Sequence, residues 1–226
     1  MTDDLGSGVQ SAHTRARIVL ALLGLGLIFN LLGIFSSMGQ FTLLSSVRDG
    51  AEITDAQAAA NDARQQGIAL IQIAVFITTV IFWLLWQHRA YTNLTLVGSR
   101  DTEETPGWSV GYWFIPIINI FKPYQITAEL WRKSELKNAR DPIGGLSGTP
   151  LVLAWWIVYV LNGLAGRLFA SLVKSAKSLD ALIDATMAGI LADAVGIAAC
   201  ILAIIVVQGI DRFQAQFPAG VAAPIE

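Results

Sequence analysis

Four long apolar stretches constrain what this chain can fold into more than any other feature of its sequence. They cover residues 18–36, 68–88, 151–172 and 183–207. The hydrocarbon core of a bilayer is about 30 Å thick, and an α-helix of roughly 20 apolar residues crosses it. Each stretch approaches or exceeds that length. The sequence therefore predicts an all-α fold, an integral membrane bundle of four transmembrane helices.

The composition agrees with a lipid-exposed surface. Hydrophobic residues make up 54% of the chain and charged residues 14%, whereas soluble domains carry roughly 25% charged residues. The net charge of −2 gives no general attraction to nucleic acid, so none is expected as a partner. The expected partner is the lipid bilayer, and a membrane-protein partner or a homo-oligomer stays open.

The N-terminal region allows two interpretations. Residues 1–17 are polar and end with Arg15 and Arg17, directly before the first apolar stretch. A secretory signal peptide has an apolar core of about 7–15 residues. This stretch is longer, and its leader begins with Asp3 and Asp4. We therefore predict a cytoplasmic N-terminal tail at 1–17, followed by an uncleaved span.

The second span is predicted to begin outside the membrane. Gly50 is a plausible helix stop. Thr54 and Gln57 have the spacing of a capping box, in which each side chain satisfies a free backbone group of the other residue. The pattern indicates one long helix that starts near Asp55 and enters the membrane near Ile68.

A short apolar segment lies between the second and third spans. Trp108–Phe121 is rich in aromatic residues but too short to cross a bilayer, which is typical of a re-entrant or interfacial segment. Pro116 within it and Pro123 after it are expected to break a helix. The sequence thus predicts a Pro-broken interfacial segment over residues 108–137.

The second half of that segment, Tyr124–Lys137, has an amphipathic pattern. Ile126 and Leu130 lie on one side, and Glu129 and Lys133 lie on the other at i,i+4 spacing. Residues 138–149 are predicted to form a loop because they are rich in glycine, proline and serine. The transmembrane domain is predicted to cover 18–217, and residues 218–226 to form a flexible tail.

Basic residues and tryptophans predict the orientation. Lysine and arginine concentrate in cytoplasmic segments. With both termini inside, the inner segments hold more of them than the outer ones, and all seven tryptophans fall near the inner interface, where indole rings favour the headgroup region. We therefore predict cytoplasmic N- and C-termini.

Two ionisable residues, Arg167 and Asp193, fall inside predicted spans. Such residues usually face the bundle interior and find a partner. A tight hairpin of the third and fourth spans would place Arg167 level with Asp193, and Lys174 near Asp184, which predicts two stacked ion pairs. The pair Arg167–Asp193 is interpreted as structural glue, and a proton or ion relay is the alternative.

The stretch over residues 83–134 resembles a known family. It reads W-L-L-W-Q-H-R-A-Y-T-N-L and then P-G-W-S-V-G-Y-W-F-I-P-I-I-N-I-F-K-P-Y-Q-I-T-A-E-L-W-R-K-S. This resembles the bacterial membrane family named domain of unknown function 4328, over roughly residues 65–213. The matching residues are Arg89, Asn93, Pro106, Trp108, Pro116, Asn119, Pro123, Glu129 and Trp131. The resemblance implies a protein of the bacterial cytoplasmic membrane but no activity.

The polar residues of this stretch are the candidate site. Arg89 and Asn93 lie one helical turn apart at the inner end of the second span. Our hypothesis is that Arg89 and Glu129 clamp the aromatic segment against that span, and the alternative is a polar pocket for a lipid headgroup or small ligand. Asn119 is expected to satisfy backbone groups freed around Pro116. The interfacial aromatic residues are predicted to be Trp108, Trp113, Phe114 and Trp131.

No enzymatic constellation is recognisable in the sequence. Cys200 is a single cysteine, His13 and His88 are far apart, and serines and threonines have no paired base. We expect no catalytic residues, cofactor or metal site. The sequence favours a non-enzymatic interaction or lipid-binding module that acts through its cytoplasmic aromatic segment. The alternative is a small oligomeric transporter or channel subunit with a site at the broken helix 108–123.

Overall fold

The regular structure of the described residues is helical throughout. The computed structural model describes residues 2–97, 102–136 and 149–217. The α-helices are α1 (Thr2–Arg48), α2 (Asp55–Leu96), α3 (Pro106–Gly111), α4 (Lys122–Leu136), α5 (Thr149–Ser175) and α6 (Leu179–Gln214), with 3-10 turns at Tyr112–Phe114 and Ile118–Ile120. The predicted all-α fold is confirmed for this part of the chain.

Four of these helices, α1, α2, α5 and α6, are long and apolar enough to cross a membrane. Their lengths are 47, 42, 27 and 36 residues, all above the roughly 20 that a bilayer core needs. The predicted number of helices able to cross a membrane is confirmed among the described residues, and these helices extend beyond the predicted apolar stretches.

The N-terminal region 1–17, predicted as a polar tail, is helical from Thr2 onward as part of α1. Ala12, Ala16 and Val19 are buried, and their spacing of four and three residues places them on one face of the helix. Arg15 Nη1 donates a hydrogen bond of 2.8 Å to the Leu85 carbonyl on α2. A small apolar face thus packs this region against the protein, a signal that its polar composition hides.

The start of α2 agrees with the capping-box prediction. The Thr54 N–H donates to Gln57 Oε1 at 2.9 Å, and the Gln57 N–H donates to Thr54 Oγ1 at 3.2 Å. Gly50 ends the preceding turn with φ +96°, a left-handed conformation that glycine adopts without a steric penalty.

The aromatic segment, which we define as residues 106–121, is broken as predicted. Helix α3 and the two 3-10 turns replace one continuous helix, and Pro116 lies between the turns. The prediction for Pro123 is wrong, because Pro123 is the second residue of α4. Proline is tolerated in a first helical turn, where its missing N–H has no intrahelical partner to lose.

Some predictions concern residues outside the described ranges. These are the loop 138–149, except that Thr149 begins α5, and the flexible tail 218–226. Arg100, Lys137 and Arg140, which contributed to the predicted orientation, also lie outside them.

The chain divides into two compact units. Unit 1 comprises Met1–Leu22, Thr78–Trp156 and Leu202–Glu226, and unit 2 comprises Leu23–Ile77 and Ile157–Ile201. Each of the four long helices therefore contributes residues to both units. Unit 1 includes the aromatic segment and α4, and unit 2 includes the turns between α1 and α2 and between α5 and α6.

Aromatic side chains form much of the core of unit 1, which contains all seven tryptophans. Trp83 stacks on Trp155 with ring centroids 5.0 Å apart and meets Trp86 edge-on at 5.2 Å. Helix α4 is buried continuously from Ile126 to Trp131, so packed neighbours surround it. Glu129, which was expected on the polar side of this helix, is therefore buried.

In unit 2, glycines bring α1 and α6 close together in antiparallel order. A methyl group added at Gly26 would touch Cys200, one at Gly33 would meet the Asp193 carboxylate, and one at Gly196 would meet the Asn30 amide. Gln40 Nε2, further along α1, donates to Thr186 Oγ1 at 3.0 Å. Small residues of this kind let membrane helices approach closely.

A substitution at Gly209 tests the packing of unit 1. An alanine methyl group there would overlap the ring of Trp131, which is buried. We expect Gly209→Ala to destabilise the protein by about 1–3 kcal/mol through overpacking, measured as the free energy of unfolding in detergent. Gly166→Ala on α5 is the control, because the space beside Gly166 is open. Equal stabilities of the two variants would contradict this packing.

Candidate functional site

The centre of the candidate site is Glu129, a carboxylate buried in unit 1 with 1% of its surface exposed. Tyr91 Oη donates to Glu129 Oε2 at 2.6 Å, and the Glu103 N–H donates to Oε1 at 2.8 Å. Lys133 Nζ lies 2.7 Å from Oε1, which confirms the i,i+4 pair expected on α4. A buried carboxylate is costly unless it is paired and hydrogen-bonded, and these three donors meet that need.

The hydroxyl group of Tyr91 connects three parts of unit 1. It donates to Glu129 on α4 and accepts a hydrogen bond of 3.2 Å from the Glu104 N–H. Tyr91 itself lies on α2. The backbone at residues 103 and 104, directly before the aromatic segment, is thereby fixed against two helices.

A second carboxylate, Glu104, joins the two ends of the aromatic segment. Lys122 Nζ donates to Glu104 Oε1 at 2.6 Å, and Tyr112 Oη donates to Oε2 at 3.0 Å. Lys122 Nζ also lies 5.1 Å from the centroid of the Tyr112 ring, within range of a cation–π interaction. The hydrogen bond with Glu104 raises the pKa of Lys122, so the lysine stays charged at neutral pH.

Three polar side chains of α2, all fully buried, each bind a different neighbour. Gln87 Nε2 donates to the Ser109 carbonyl in the aromatic segment at 3.0 Å. Tyr91 binds Glu129, and Asn93 Nδ2 donates to Gln214 Oε1 on α6 at 3.0 Å. Within unit 1, these side chains connect α2 to the aromatic segment, to α4 and to α6.

The proposed clamp between Arg89 and Glu129 is corrected by these contacts. Arg89 is only partly buried, and the donors to Glu129 within the described residues are Tyr91, Lys133 and the Glu103 backbone. A clamp does hold the segment to α2, but Tyr91 provides it. Tyr91 reaches the carboxylate from a buried position without adding a further charge to the Glu129–Lys133 pair.

Asn119 does not act through its side chain in the described structure. Its backbone N–H donates to the Ile115 carbonyl at 2.8 Å, and the N–H groups of Ile120 and Phe121 donate to the carbonyls of Ile117 and Ile118, each at 3.2 Å. Backbone hydrogen bonds of the short turns therefore satisfy the groups around Pro116 that Asn119 was expected to satisfy.

The four predicted interfacial aromatic residues divide into two groups. Trp108 and Phe114 are exposed, with 51% and 72% of their surfaces accessible. Trp113 is partly buried and meets Trp156 edge-on at 5.9 Å. The prediction is wrong for Trp131, which is buried and packs edge-on against Phe213 at 5.5 Å, because Gly209 leaves room for its ring on α6.

The predicted ion pair of Arg167 with Asp193, in unit 2, is not formed. Asp193 Oδ1 accepts a hydrogen bond of 3.0 Å from Gln72 Nε2, and Arg167 is exposed. The predicted antiparallel hairpin is nevertheless close to the observed one, since methyl groups added at Gly189 and Gly196 would meet Phe169 and Asn162. Arg167 lies near the expected level of α5 but on another face.

The second predicted pair, Lys174 with Asp184, is also not formed in the described structure. Both residues are exposed, and no ion pair between them lies within 4.0 Å. At the ends of a hairpin, water solvates the charged groups and pairing would restrict long flexible side chains. An exposed ion pair there would therefore add little stability.

Sequence reasoning missed Tyr91, Glu104 and Lys122. All three lie in or beside the stretch that carries the family resemblance, but their partners are distant in sequence. One local signal was present: Gln87 and Tyr91 are i,i+4 on α2, as are Tyr91 and Thr95, so a polar face accompanies the apolar one. Glu104 gave no such signal.

The fold and this network define an all-helical protein with four helices able to span a membrane and a clasped aromatic segment between the second and third of them. The chain belongs to the family described as domain of unknown function DUF4328, whose family model matches residues 49–212. The resemblance seen in the sequence is thereby confirmed. No curated protein and no solved structure matches the chain.

Removing the Tyr91 hydroxyl tests the clamp. Tyr91→Phe should destabilise the protein by about 1–3 kcal/mol, because the buried Glu129 carboxylate and the Glu104 N–H each lose a partner. The measurement is the free energy of unfolding in detergent. Tyr124→Phe on α4 is the matched control, since the Tyr124 hydroxyl makes no hydrogen bond with the described residues. A loss of stability in the control as large as in Tyr91→Phe would contradict the assignment.

A second pair of variants tests the Glu104 clasp. Glu104→Gln weakens the charge-assisted bond to Lys122, so residues 106–121 should exchange amide hydrogen faster, as measured by deuterium uptake and mass spectrometry. Glu103→Gln changes an exposed side chain and should leave the exchange of this segment unchanged. If both variants exchanged like the unmodified chain, the clasp would not hold the segment.

Proposed function

We propose that the chain is a multi-pass protein of the bacterial cytoplasmic membrane, with both termini in the cytoplasm, that acts without catalysis by binding lipid at the membrane interface. The aromatic segment is the binding element. The observation that carries the proposal is the apolar surface that this segment leaves exposed while its polar groups are tied inward.

The exposed surface of the segment is large and apolar. Phe114, Ile117 and Ile120 are 72%, 75% and 63% exposed, and Trp108 and Phe121 are about half exposed. Contiguous apolar patches of this kind on a folded protein mark sites of contact with membranes or other proteins. The mixture of tryptophan, phenylalanine and isoleucine fits the headgroup and upper acyl-chain region of a bilayer.

Hydrogen bonds attach the aromatic segment to α2 and α5 within unit 1. Trp156 Nε1 on α5 donates to the Ile120 carbonyl at 2.9 Å, and Gln87 on α2 binds the Ser109 carbonyl. These bonds and the Glu104–Lys122 clasp hold the backbone in place. Because these backbone and side-chain groups are hydrogen-bonded within the unit, they add little to the cost of placing the segment in an apolar region.

The bilayer is the favoured occupant because the long helices of the same unit also expose apolar side chains. Leu153 on α5, Leu85 and Ile81 on α2, and Ile205 on α6 are all 41–50% exposed. These side chains belong to helices that can cross a membrane, where acyl chains would cover them. The exposed Arg132 on α4 adds positive charge in the same unit, which favours anionic headgroups.

The division into units supports the proposed orientation. Unit 1 includes both chain ends and the connection from α2 to α5, whereas unit 2 includes the α1–α2 and α5–α6 turns. This is the arrangement expected when four spans place both termini and the central connection on one side. The larger number of basic residues in those segments favours the cytoplasmic side.

The depth of single labels in the bilayer tests the proposal. In a Cys200→Ser background, an environment-sensitive fluorophore is attached to the cysteine of Phe114→Cys or Ile117→Cys and the protein is placed in vesicles of phosphatidylcholine and phosphatidylglycerol. Spin-labelled lipid should quench both labels, because the segment lies in the interface. Glu103→Cys is the control, at an exposed polar position near the segment, and an aqueous quencher should act on it instead.

Quenching of the labels at 114 and 117 by the aqueous reagent alone would contradict insertion. Lipid binding itself is measured by native mass spectrometry of the detergent-solubilised protein. The double variant Phe114→Ser/Ile117→Ser should retain fewer phospholipids, whereas Leu70→Ser/Ile73→Ser, which changes exposed residues of α2, should retain as many as the unmodified chain. Equal retention by both double variants would argue against a specific lipid site at the segment.

A further inference from the structure

The carboxylate of Asp193 has a neutral partner only. It lies within the apolar part of α6 and accepts a hydrogen bond from the amide of Gln72. Among the described residues, no lysine, arginine or histidine nitrogen lies within 4.0 Å of it. A charged side chain at the centre of a span costs roughly 2.5–3.5 kcal/mol on insertion scales, so an ionised Asp193 requires a counter-charge, which the described residues do not provide within 4.0 Å.

Two glycines allow close contact between helices at and beside this carboxylate. Gly33 on α1 faces Asp193 Oδ2 so closely that a methyl group there would overlap it. One turn further along α6, Gly196 faces the amide of Asn30 in the same way. Gln72 Nε2 also donates to the Phe29 carbonyl at 3.2 Å, which fixes the glutamine beside the carboxylate.

Oxygen atoms converge on this part of unit 2. Asn30 Nδ2 donates to the Gly26 carbonyl at 2.7 Å, so its oxygen is directed to the other side, toward Gly196. The oxygen atoms of Asn30 and Asn162 lie 2.5 Å and 3.4 Å from the position that a methyl group on Gly196 would take. The side chain of Asn162 makes no hydrogen bond with the described residues. The Asp193 carboxylate and the amide oxygens of Asn30 and Asn162 thus lie within about one turn of α6, and the hydrogen-bond donor to the carboxylate among the described residues is a neutral amide.

This set of oxygen atoms has the chemistry of a cation site. Carboxylate and amide oxygens are the ligands that hard metal cations prefer. A single carboxylate supplies one negative charge, which a monovalent cation neutralises without excess. We propose that Asp193, Asn30 and Asn162 form a binding site for a monovalent alkali cation of about the size of sodium. This site is independent of the lipid-binding proposal, since the aromatic segment contributes nothing to it.

Direct binding of sodium tests the site. The full chain is placed in lipid nanodiscs, and binding of radioactive sodium is measured by scintillation proximity at alkaline pH, with choline chloride to keep the ionic strength constant. The unmodified chain should bind sodium saturably, with one site per chain, and a rise in its thermal unfolding temperature with sodium but not with choline should follow.

Matched variants locate the ligands. Asp193→Asn should abolish saturable binding, and Asn162→Ala should weaken it at least several-fold, because each change removes an oxygen ligand. Asp184→Asn is the control, since it neutralises an exposed carboxylate of the same helix and should bind like the unmodified chain. Asn162→Ala removes no hydrogen bond between described residues, so its folding should be preserved even where Asp193→Asn is unstable.

Two results would overturn the proposal. The first is a folded, unmodified chain that binds no sodium at alkaline pH and unfolds at the same temperature in sodium and choline, which would show that Asp193 is neutralised by a proton. The second is undiminished sodium binding by Asp193→Asn or Asn162→Ala. Where the unmodified chain binds sodium, competition by lithium and potassium measures how the affinity of the site depends on the size of the cation.

Discussion

The apolar outer surface of the four long helices is the constraint on which the rest of the structure depends. Leu70, Ile73, Phe76 and Ile77 on α2 are each more than half exposed, and such a surface on helices able to cross a membrane suits a covering of acyl chains. In that environment an unpaired polar group is costly, because no water is available to satisfy it. A polar side chain in the described interior is therefore stabilised mainly by its hydrogen-bond or ion-pair partners.

The two units differ in how their carboxylates are paired. In unit 1, Glu129 and Glu104 are surrounded by donors, and their bonds leave the aromatic segment with its polar groups inside and its apolar side chains outside. In unit 2, Asp193 accepts from one neutral donor among the described residues, Gln72, and faces Gly33. The saturated network suits a rigid platform for lipid contact. The Asp193 carboxylate, which has no cationic partner within 4.0 Å among the described residues, suits a site that binds a cation from solution.

Local signals in the sequence were sufficient for the helices and insufficient for the pairs. The four spans, the capping box at Thr54 and the break at Pro116 depend on residues close together in the chain, so the sequence predicted them. The partner of Glu129 depends on how α2, α4 and residues 103–104 approach one another, and no short-range pattern records that. The predicted ion pair of Arg167 failed for the same reason. The hairpin register predicts the level of Arg167 along α5, but the rotation of α5 decides which face of the helix it occupies. Trp131 was misplaced because the opening at Gly209 lies 78 residues further along the chain.

The most direct measurement of this account is the labelling of single cysteines in intact cells with a maleimide that cannot cross membranes. In a Cys200→Ser background, cysteines replacing Glu52 in the α1–α2 turn and Ser178 in the α5–α6 turn should react from outside. A cysteine replacing Glu103, beside the aromatic segment, should react only after the membrane is permeabilised. Labelling of position 103 in intact cells, or protection of positions 52 and 178, would contradict four crossings with the segment at the cytoplasmic face.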